Sequence, residues 1–318
     1  MAPKVHFLRE KQEQRKPRTQ WTMCVAYLQE DGSEIVYDRI PSFTKVETDS
    51  HIGFHQNHRV VIRNWRLCRD DYRSPDTIKL LMREVNEWKQ FRHRHIVKFV
   101  GLADTLAYIP SIVYPYYKNG NILQYLEKNP RADVLRLLHG VASALAYMHT
   151  REVPAIHGSV KSTNVLIDDT GEALLNDYGM TRVPDFAIHF ARPTNLVFQE
   201  ARWLAPEFFN YELVQNDRMG STPETDTYSF GMLCLEVYTG QKPFAERRFH
   251  ADDMLDVGRG AHPLRPNPDK YPLVTDDIWD IMQACWQLKP ENRVKMPVVK
   301  ELFALQRIMQ AIETPSGK

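Results

Sequence analysis

The chain has 318 residues, of which 43% are hydrophobic, 11% aromatic and 25% charged. This composition is typical of a globular protein with a large core and excludes a chain that is disordered throughout. The formal net charge of +1 provides no overall field to attract nucleic acid or an anionic membrane surface.

Residues 1–20 carry six Lys or Arg against two Glu and contain no apolar stretch. We expect a disordered basic arm there, with no secretory signal. No apolar run reaches the roughly 18 residues that a membrane span requires, and the run over 228–238 is interrupted by Ser229 and Glu236. The four cysteines lie far apart, as is typical of reduced thiols. These features predict a cytoplasmic protein without a membrane span.

Strand signals dominate the first part of the chain. Two β-rich runs flank Asp31-Gly32 and predict an extra β-hairpin within 21–42. Further strands are predicted over residues 43–46, 51–55, 59–65, 96–102 and 109–113. Apolar residues at a helical period predict a helix over 77–91.

Helical patterns dominate the second part. Helices are predicted over 132–150, 227–239, 278–287 and 298–312, and short strands over 164–167 and 172–175. This order predicts an α+β fold with a small β-rich lobe that carries one main helix and a larger α-helical lobe. The boundaries are 43–113 for the first lobe, 114–120 for a hinge, 121–312 for the second lobe and 313–318 for a tail. A cleft between two such lobes is the default ligand site.

Seven short strings carry a family resemblance. They are VVIR at 60–63, Glu84, HGSVKSTN at 157–164, DYG at 177–179, APE at 205–207, DTYSFG at 226–231, and CW at 285–286 with NR at 292–293. In this order they resemble VAIK, the helix αC Glu, HRDLKxxN, DFG, APE, DxxSFG and the closing CW…R of protein kinases. The chain therefore resembles the protein kinase superfamily, of the tyrosine-kinase-like Ser/Thr type, over about 43–312, and this implies a bilobal kinase-like fold.

The resemblance implies ATP and Mg²⁺ as cofactors and gives each matching residue a role. Adenine would stack between Val61 and Leu166, and its edge would reach the carbonyl of Pro115 and the N–H of Tyr117. Arg63 would hold the phosphates and be steadied by Glu84. Asp177 and Asn164 would bind Mg²⁺ through oxygen, and Lys161 would neutralise the γ-phosphate. Arg293 would pair with Glu207 and fix the helical lobe, and Asp226 would anchor a column of side chains that joins the two lobes.

The catalytic loop departs from the family at the proton acceptor. Ser159 stands where the family has Asp. A serine hydroxyl is not a base at neutral pH, so it cannot replace a carboxylate. The nearest acidic residues along the chain are Asp168 and Asp169, in a turn beyond the next strand.

The first lobe departs as well. Arg63 replaces Lys, and its planar guanidinium has a different donor geometry. At the expected place of the glycine-rich loop, residues 48–55 contain a single glycine, Gly53, and Asp49 would repel phosphate. Val61 replaces Ala above the adenine, and Tyr114 occupies the gatekeeper position, where it would narrow the rear of the nucleotide site.

Three functional hypotheses follow. The first is a pseudokinase with weak or no ATP binding that acts on a protein partner, either an active kinase or a client protein. The second is an atypical active Ser/Thr or Tyr kinase, because Asp177, Asn164, Lys161 and Glu84 are retained. The third is a structural adaptor that works through the basic arm and the extra hairpin.

Overall fold

The structure is a computed structural model that describes residues 23–44, 48–65, 75–104, 110–179, 201–213 and 220–313. The predicted arm over 1–20 and residues 314–318 of the predicted tail lie outside this range. The chain divides into two compact units, which we describe separately. The N-terminal unit comprises Met1–Lys89 and Val97–Tyr116, and the C-terminal unit comprises Gln90–Ile96 and Tyr117–Lys318.

The N-terminal unit is built on one antiparallel sheet. Its strands are β1 (Met23–Leu28), β2 (Glu34–Asp38), β3 (Phe43–Thr44), β4 (Thr48–His55), β5 (His58–Trp65), β6 (Gly101–Asp104) and β7 (Ser111–Pro115), and its helix is α1 (Pro75–Trp88). The strand order is β2-β1-β6-β7-β5-β4-β3, and β2 also pairs with β4. Because β2, at one end of this order, also pairs with β4, six of the strands close into a barrel, and the short β3 is attached to β4 outside this ring.

Side-chain alternation along the strands fills the barrel. The predicted hairpin is formed by β1 and β2, and Ile35 and Tyr37 of β2 face inward. The interior is apolar and contains Ala26, Leu28, Ile35, Tyr37, Val60, Ile62, Ala103 and Val113. Burial of these side chains, rather than the hairpin turn alone, fixes the register of the added strands.

Gly53 lies where β2 crosses β4. A Cβ at this position would lie 2.9 Å from the carbonyl oxygen of Val36 and 3.0 Å from Cβ of Tyr37. Glycine is therefore the residue that allows the two strands to pair closely enough to close the sheet.

The strand predicted over 96–102 is wrong at its start, because β6 begins at Gly101. Ile96 belongs to the C-terminal unit, where it bridges Leu175, and the Leu175 N–H donates to the carbonyl of His95 at 2.8 Å. The apolar run is continuous in sequence because it supplies core residues to both units, not because it is one strand.

The C-terminal unit is mainly helical. Its elements are α2 (Ile122–Lys128), α3 (Val134–His149), β8 (Val165–Ile167), β9 (Ala173–Leu175), α4 (Pro223–Thr239), α5 (Ala251–Gly258), α6 (Asp276–Cys285) and α7 (Met296–Glu313). A β-rich first unit and a helical second unit confirm the predicted α+β kinase-like fold. None of the helices in the described ranges combines the length and apolar character that crossing a bilayer requires.

Helix starts are set by capping. The predicted start of α4 at residue 227 is wrong, because Thr222 and Thr225 form a reciprocal capping box and Pro223 occupies the first turn. The side chain of Asp133 likewise accepts a hydrogen bond from the Arg136 N–H at the start of α3. Helix α4 is buried over nearly its whole length, so polar residues placed on it face protein rather than water.

Candidate functional site

The loop over residues 157–164 is held from α4 by a buried carboxylate. Asp226 accepts the N–H groups of His157 and Gly158 at 2.7 Å each, and His149 Nε2 donates to it at 3.0 Å. Burial would raise the pKa of Asp226, but the hydrogen bonds and the interactions with His149 and His157 outweigh burial and lower it. An ionised Asp226 therefore fixes the backbone from which Ser159 projects.

Ser159 and Asn164 are brought together in this loop. The Asn164 amide nitrogen donates to Ser159 Oγ at 3.0 Å and to the Ser159 carbonyl at 2.9 Å. The Ser159 N–H donates to His157 Nδ1 at 3.2 Å. The position that would carry a proton acceptor thus holds a hydroxyl that is itself engaged by the neighbouring amide.

Asp177 has a left-handed backbone, with φ of 66°, and is buried. This conformation is uncommon outside glycine and persists where the surroundings impose it. Here His157 Nε2 donates to the Asn176 carbonyl at 2.7 Å, and the Gly179 N–H donates to the His157 carbonyl at 3.1 Å. The same loop therefore positions Ser159 and the backbone on both sides of Asp177.

A second buried carboxylate beneath the loop was missed by the sequence reasoning. Glu236 accepts the N–H and hydroxyl of Ser162 at 3.2 and 2.7 Å, and Trp203 Nε1 at 3.1 Å. Burial raises the pKa of Glu236, although these hydrogen bonds oppose the rise. A single acidic residue inside the apolar run 228–238 was the available signal, because a buried charge requires partners.

The acidic residues that follow the loop serve the β8–β9 turn. Asp168 Oδ1 accepts the N–H and hydroxyl of Thr170 at 2.9 and 2.7 Å and the N–H of Glu172 at 2.9 Å. Asp169 lies 3.3 Å from Lys118 and is exposed. Both carboxylates therefore have their observed partners in or beside this turn.

In the N-terminal unit, Arg63 and Tyr114 contact each other. Val61 pairs with Tyr114 across β5 and β7. The Arg63 guanidinium donates to the Tyr114 hydroxyl at 2.9 Å and to Ser50 Oγ at 3.5 Å. Arg63 is 5% exposed and Glu84, on α1, is 2% exposed. The expected phosphate-binding cation is therefore buried against the gatekeeper tyrosine.

The expected position of the glycine-rich loop is wrong. Residues 48–55 form β4, in which every residue pairs with β5, from Thr48 opposite Trp65 to His55 opposite His58. Asp49 accepts a hydrogen bond from Thr44 Oγ1 at 3.2 Å. The connection between β3 and β4 is residues 45–47, which lie outside the described part of the chain and contain no glycine.

The predicted site residues therefore fall into two groups. The N-terminal unit contains Val61, Arg63, Glu84, Tyr114 and Pro115, and the C-terminal unit contains Tyr117, Ser159, Lys161, Asn164, Leu166 and Asp177. In the second group, Leu166 bridges Asn121, and the Gly120 N–H donates to the Tyr117 carbonyl at 3.2 Å.

The expected pair between Glu207 and Arg293 is confirmed. Two guanidinium nitrogens donate to the two carboxylate oxygens at 2.7 Å each, and the Arg293 side chain is fully buried. Arg293 also donates to the carbonyls of Glu224 and Gln287 at 3.0 and 2.8 Å. This two-point ion pair ties the APE segment to the residues after α6.

The family model of protein tyrosine and serine/threonine kinases matches residues 42–303. The chain belongs to this protein kinase family. The kinase domain is 30% identical over 181 residues to the LRR receptor-like serine/threonine-protein kinase RGI5 of Arabidopsis thaliana, covering 56% of this chain and 16% of that protein.

Two further relatives align over more of the kinase domain. The wall-associated receptor kinase-like 17 of Arabidopsis thaliana is 29% identical over 267 residues, covering 75% of this chain and 31% of the relative. The human ankyrin repeat and protein kinase domain-containing protein 1 is 24% identical over 287 residues, covering 83% and 36%. The chain thus spans about a third or less of the length of these relatives.

Kinases of this family use ATP and Mg²⁺. In this kinase domain the residues expected at the metal suit Mg²⁺, but those expected at the phosphates do not suit ATP. Asp177 and Asn164 supply the oxygen donors that Mg²⁺ prefers. Arg63, by contrast, is bound to Tyr114 and Ser50, and the segment 48–55 that was expected to cover the phosphates is a strand paired with β5. The residues expected to bind the phosphates of ATP therefore do not fit that ligand.

Proposed function

We propose that this kinase domain is a pseudokinase that binds a protein partner, an active kinase or a client protein, without efficient phosphoryl transfer. The observation that carries the proposal is the Ser159 hydroxyl, which accepts a hydrogen bond from Asn164 at the position of the catalytic base. Loss of a general base lowers the rate by roughly 10²–10⁴-fold. Asp168, Asp169 and Glu236 are each engaged elsewhere, so they offer no replacement.

The contact between Arg63 and Tyr114 supports weak nucleotide binding. A phosphate would have to displace the Tyr114 hydroxyl, which lies 2.9 Å from the guanidinium, or share the cation with it. Because Arg63 is buried, the phosphate would also lose hydration on reaching it. Both effects weaken ATP binding relative to an exposed lysine.

Phosphoryl transfer tests the proposal directly. We expect wild type and Ser159→Ala to transfer equally little phosphate from ATP to a generic protein substrate or to the chain itself. The amount of phosphate that Ser159→Asp transfers is compared with the amount that Thr163→Asp transfers. The second variant is the control, because it adds the same charge at an exposed position of the same loop. Wild-type turnover that disappears in Asp177→Asn would overturn the proposal.

Thermal unfolding tests nucleotide binding separately. With ATP, Mg²⁺ or both present, we expect little or no shift in the wild-type midpoint, because a ligand stabilises only the state that binds it. Tyr114→Phe removes the hydroxyl that engages Arg63 and should enlarge the response to ATP with Mg²⁺. Tyr27→Phe, at an exposed position of the same unit, is the matched control.

An atypical active kinase is the second candidate, and the conformation of Asp177 favours it. Asp177 has a left-handed backbone, and Asn164 and Lys161 are retained in the loop. Positioning and electrostatics supply most of the acceleration in phosphoryl transfer. The double variant Ser159→Asp, Arg63→Lys should then be clearly active, whereas no gain would mean that the nucleotide site is closed.

The third candidate is an adaptor that works through the arm and the hairpin, and of these two the arm can be deleted without removing a strand. Since β1 and β2 are part of the closed sheet, deletion of residues 1–42 would remove two strands of the N-terminal unit. Deletion of residues 1–22 leaves every described strand in place. If that variant loses partner binding while its melting midpoint is unchanged, the partner binds through the arm. If binding is unchanged, the arm is not the binding segment.

A further inference from the structure

Helix α7 presents a row of apolar side chains to solvent. Its exposed members are Val298 (51%), Leu305 (51%), Ile308 (59%), Met309 (39%) and Ile312 (72%), and Leu302 between them is partly exposed. The steps from 298 to 302, 305, 309 and 312 alternate between four and three residues. This is the heptad spacing of a coiled-coil seam, and at 1.5 Å per residue it extends about 21 Å.

The opposite face of α7 is already packed. Val299 and Phe303 are fully buried, and the Phe303 ring lies 5.7 Å from that of Phe230 in an edge-to-face arrangement. The helix is therefore folded before any partner arrives. A partner for the exposed row would gain apolar burial without an additional cost for helix nucleation.

The residues beside the row favour a protein partner over a membrane. Between residues 298 and 312, Glu301 and Gln310 are exposed and Gln306 is partly exposed, and the only Lys or Arg residues are Lys300 and Arg307. Helices that lie on a membrane surface are rich in Lys and Arg on the polar face. A cluster of exposed apolar side chains with a polar rim instead marks a protein contact.

We infer that α7 is a self-association helix, through which two copies of this chain pair about a two-fold axis that passes beside Leu305. The row is centred on this residue, with Val298 and Ile312 seven positions away on either side. About this axis, position 301 of one antiparallel helix lies opposite position 309 of the other, so Glu301 lies opposite Met309 rather than a second Glu301. Two identical copies therefore meet without like charges in opposition. Such a short seam favours a weak dimer, with a dissociation constant in the micromolar range.

Sedimentation equilibrium of the full chain tests this inference. The mass should rise from one chain towards two as the concentration increases from about 1 to about 200 µM, which brackets a micromolar constant. Leu305→Glu should remain a single chain throughout. Leu264→Glu places the same charge on another exposed leucine, which is 72% exposed and lies outside the row, and should behave like wild type.

A mixing experiment isolates the two-fold contact from any effect on folding. Leu305→Glu and Leu305→Lys should each remain monomeric, because like charges oppose each other at the axis, and an equimolar mixture should form a heterodimer. A wild-type chain that stays monomeric at every concentration overturns the inference. A wild-type dimer that persists in Leu305→Glu, or a mixture that stays monomeric, also overturns it.

Discussion

The two units hold their polar side chains in different ways. In the N-terminal unit, Arg63 binds Tyr114 and Ser50 within the sheet, so the cation expected at the phosphates contacts the gatekeeper tyrosine. In the C-terminal unit, buried carboxylates hold backbone, as Asp226 does for His157 and Gly158. The difference indicates that the C-terminal unit keeps its architecture independently of chemistry at Ser159.

Asp226 explains why Ser159 is tolerated. The loop backbone is fixed by hydrogen bonds to Asp226 and Glu236, and neither contact passes through the side chain at position 159. Replacing a carboxylate by a hydroxyl there therefore removes a proton acceptor without removing a support of the loop. Four predictions, ordered by expected size, test how far each unit depends on its own contacts.

The largest effect is expected from breaking the buried ion pair of the C-terminal unit. Glu207→Ala leaves Arg293 buried without its counter-ion and should lower the free energy of unfolding by about 3–5 kcal/mol. Urea unfolding measures this loss. The exposed pair of Arg259 and Asp256 is the control, since Arg259→Ala should change stability by less than about 1 kcal/mol. Equal losses in the two variants would contradict the assigned role of the pair.

In the N-terminal unit, Gly53→Ala should separate β2 from β4. The added Cβ would meet the Val36 carbonyl at 2.9 Å, and we expect an overpacking loss of about 1–3 kcal/mol. Amide hydrogen exchange should accelerate in β2 and β4 but not in α3 or α4. Unchanged exchange in β2 would mean that sheet closure does not require glycine.

The third prediction concerns pH and the C-terminal unit. Burial lowers the pKa of His93 to about 4, with further lowering by His95, Arg94 and Lys300. The unfolded chain therefore takes up this proton first, and stability is full above pH 6.5 and decreases as the pH falls towards 4. His93→Phe keeps a ring against Tyr147, which stacks on His93 at 5.1 Å.

The melting midpoint of His93→Phe should consequently fall less than that of wild type between pH 7 and pH 5. The pKa values of His95, His139 and His262 are also lowered by burial, so some pH dependence should remain in the variant. Parallel curves for the two proteins would show that His93 is not the titrating group.

The smallest effect is expected where the β1–β2 turn contacts the residue after α1. Lys89 lies 2.8 Å from Glu30, but both side chains are about one-third exposed. Because solvent screens such pairs, Lys89→Met should lower stability by less than about 1 kcal/mol at low salt. The difference from wild type should shrink in 1 M NaCl, where the Debye length is about 3 Å. A loss that is independent of salt would point to apolar packing instead.

Sequence reasoning predicted the elements whose burial pattern is periodic. Helices α3, α6 and α7 lie close to their predicted positions because one face of each is apolar, and the pair of Glu207 and Arg293 followed from the family motifs. It failed at the start of α4, where residues 223–226 are helical behind the capping box of Thr222 and Thr225. Helix propensity alone does not show where this helix begins, because the start is set by the capping residues.

The pairing of strands that are distant in sequence was the other feature that sequence reasoning could not predict. The hairpin of β1 and β2 was predictable from Asp31-Gly32, but its pairing with β4 and β6 depends on which strands meet after folding. Gly53 was accordingly taken for a remnant of a phosphate loop instead of a crossing point of two strands. The contact of Arg63 with Tyr114 could not be predicted for the same reason, because the two residues are 51 positions apart in the sequence.

The closed sheet also constrains the order in which the chain can fold. Leu28 of β1 pairs with Ala103 of β6, and the chain visits the C-terminal unit over Gln90–Ile96 before β6 is made. Early hairpins such as β4–β5 form from neighbouring residues, whereas closure must await β6 and β7. During synthesis the first strands therefore emerge from the ribosome well before their last partners. A fragment ending at Lys89 would leave the edges of β1 and β5 open to pairing with other chains.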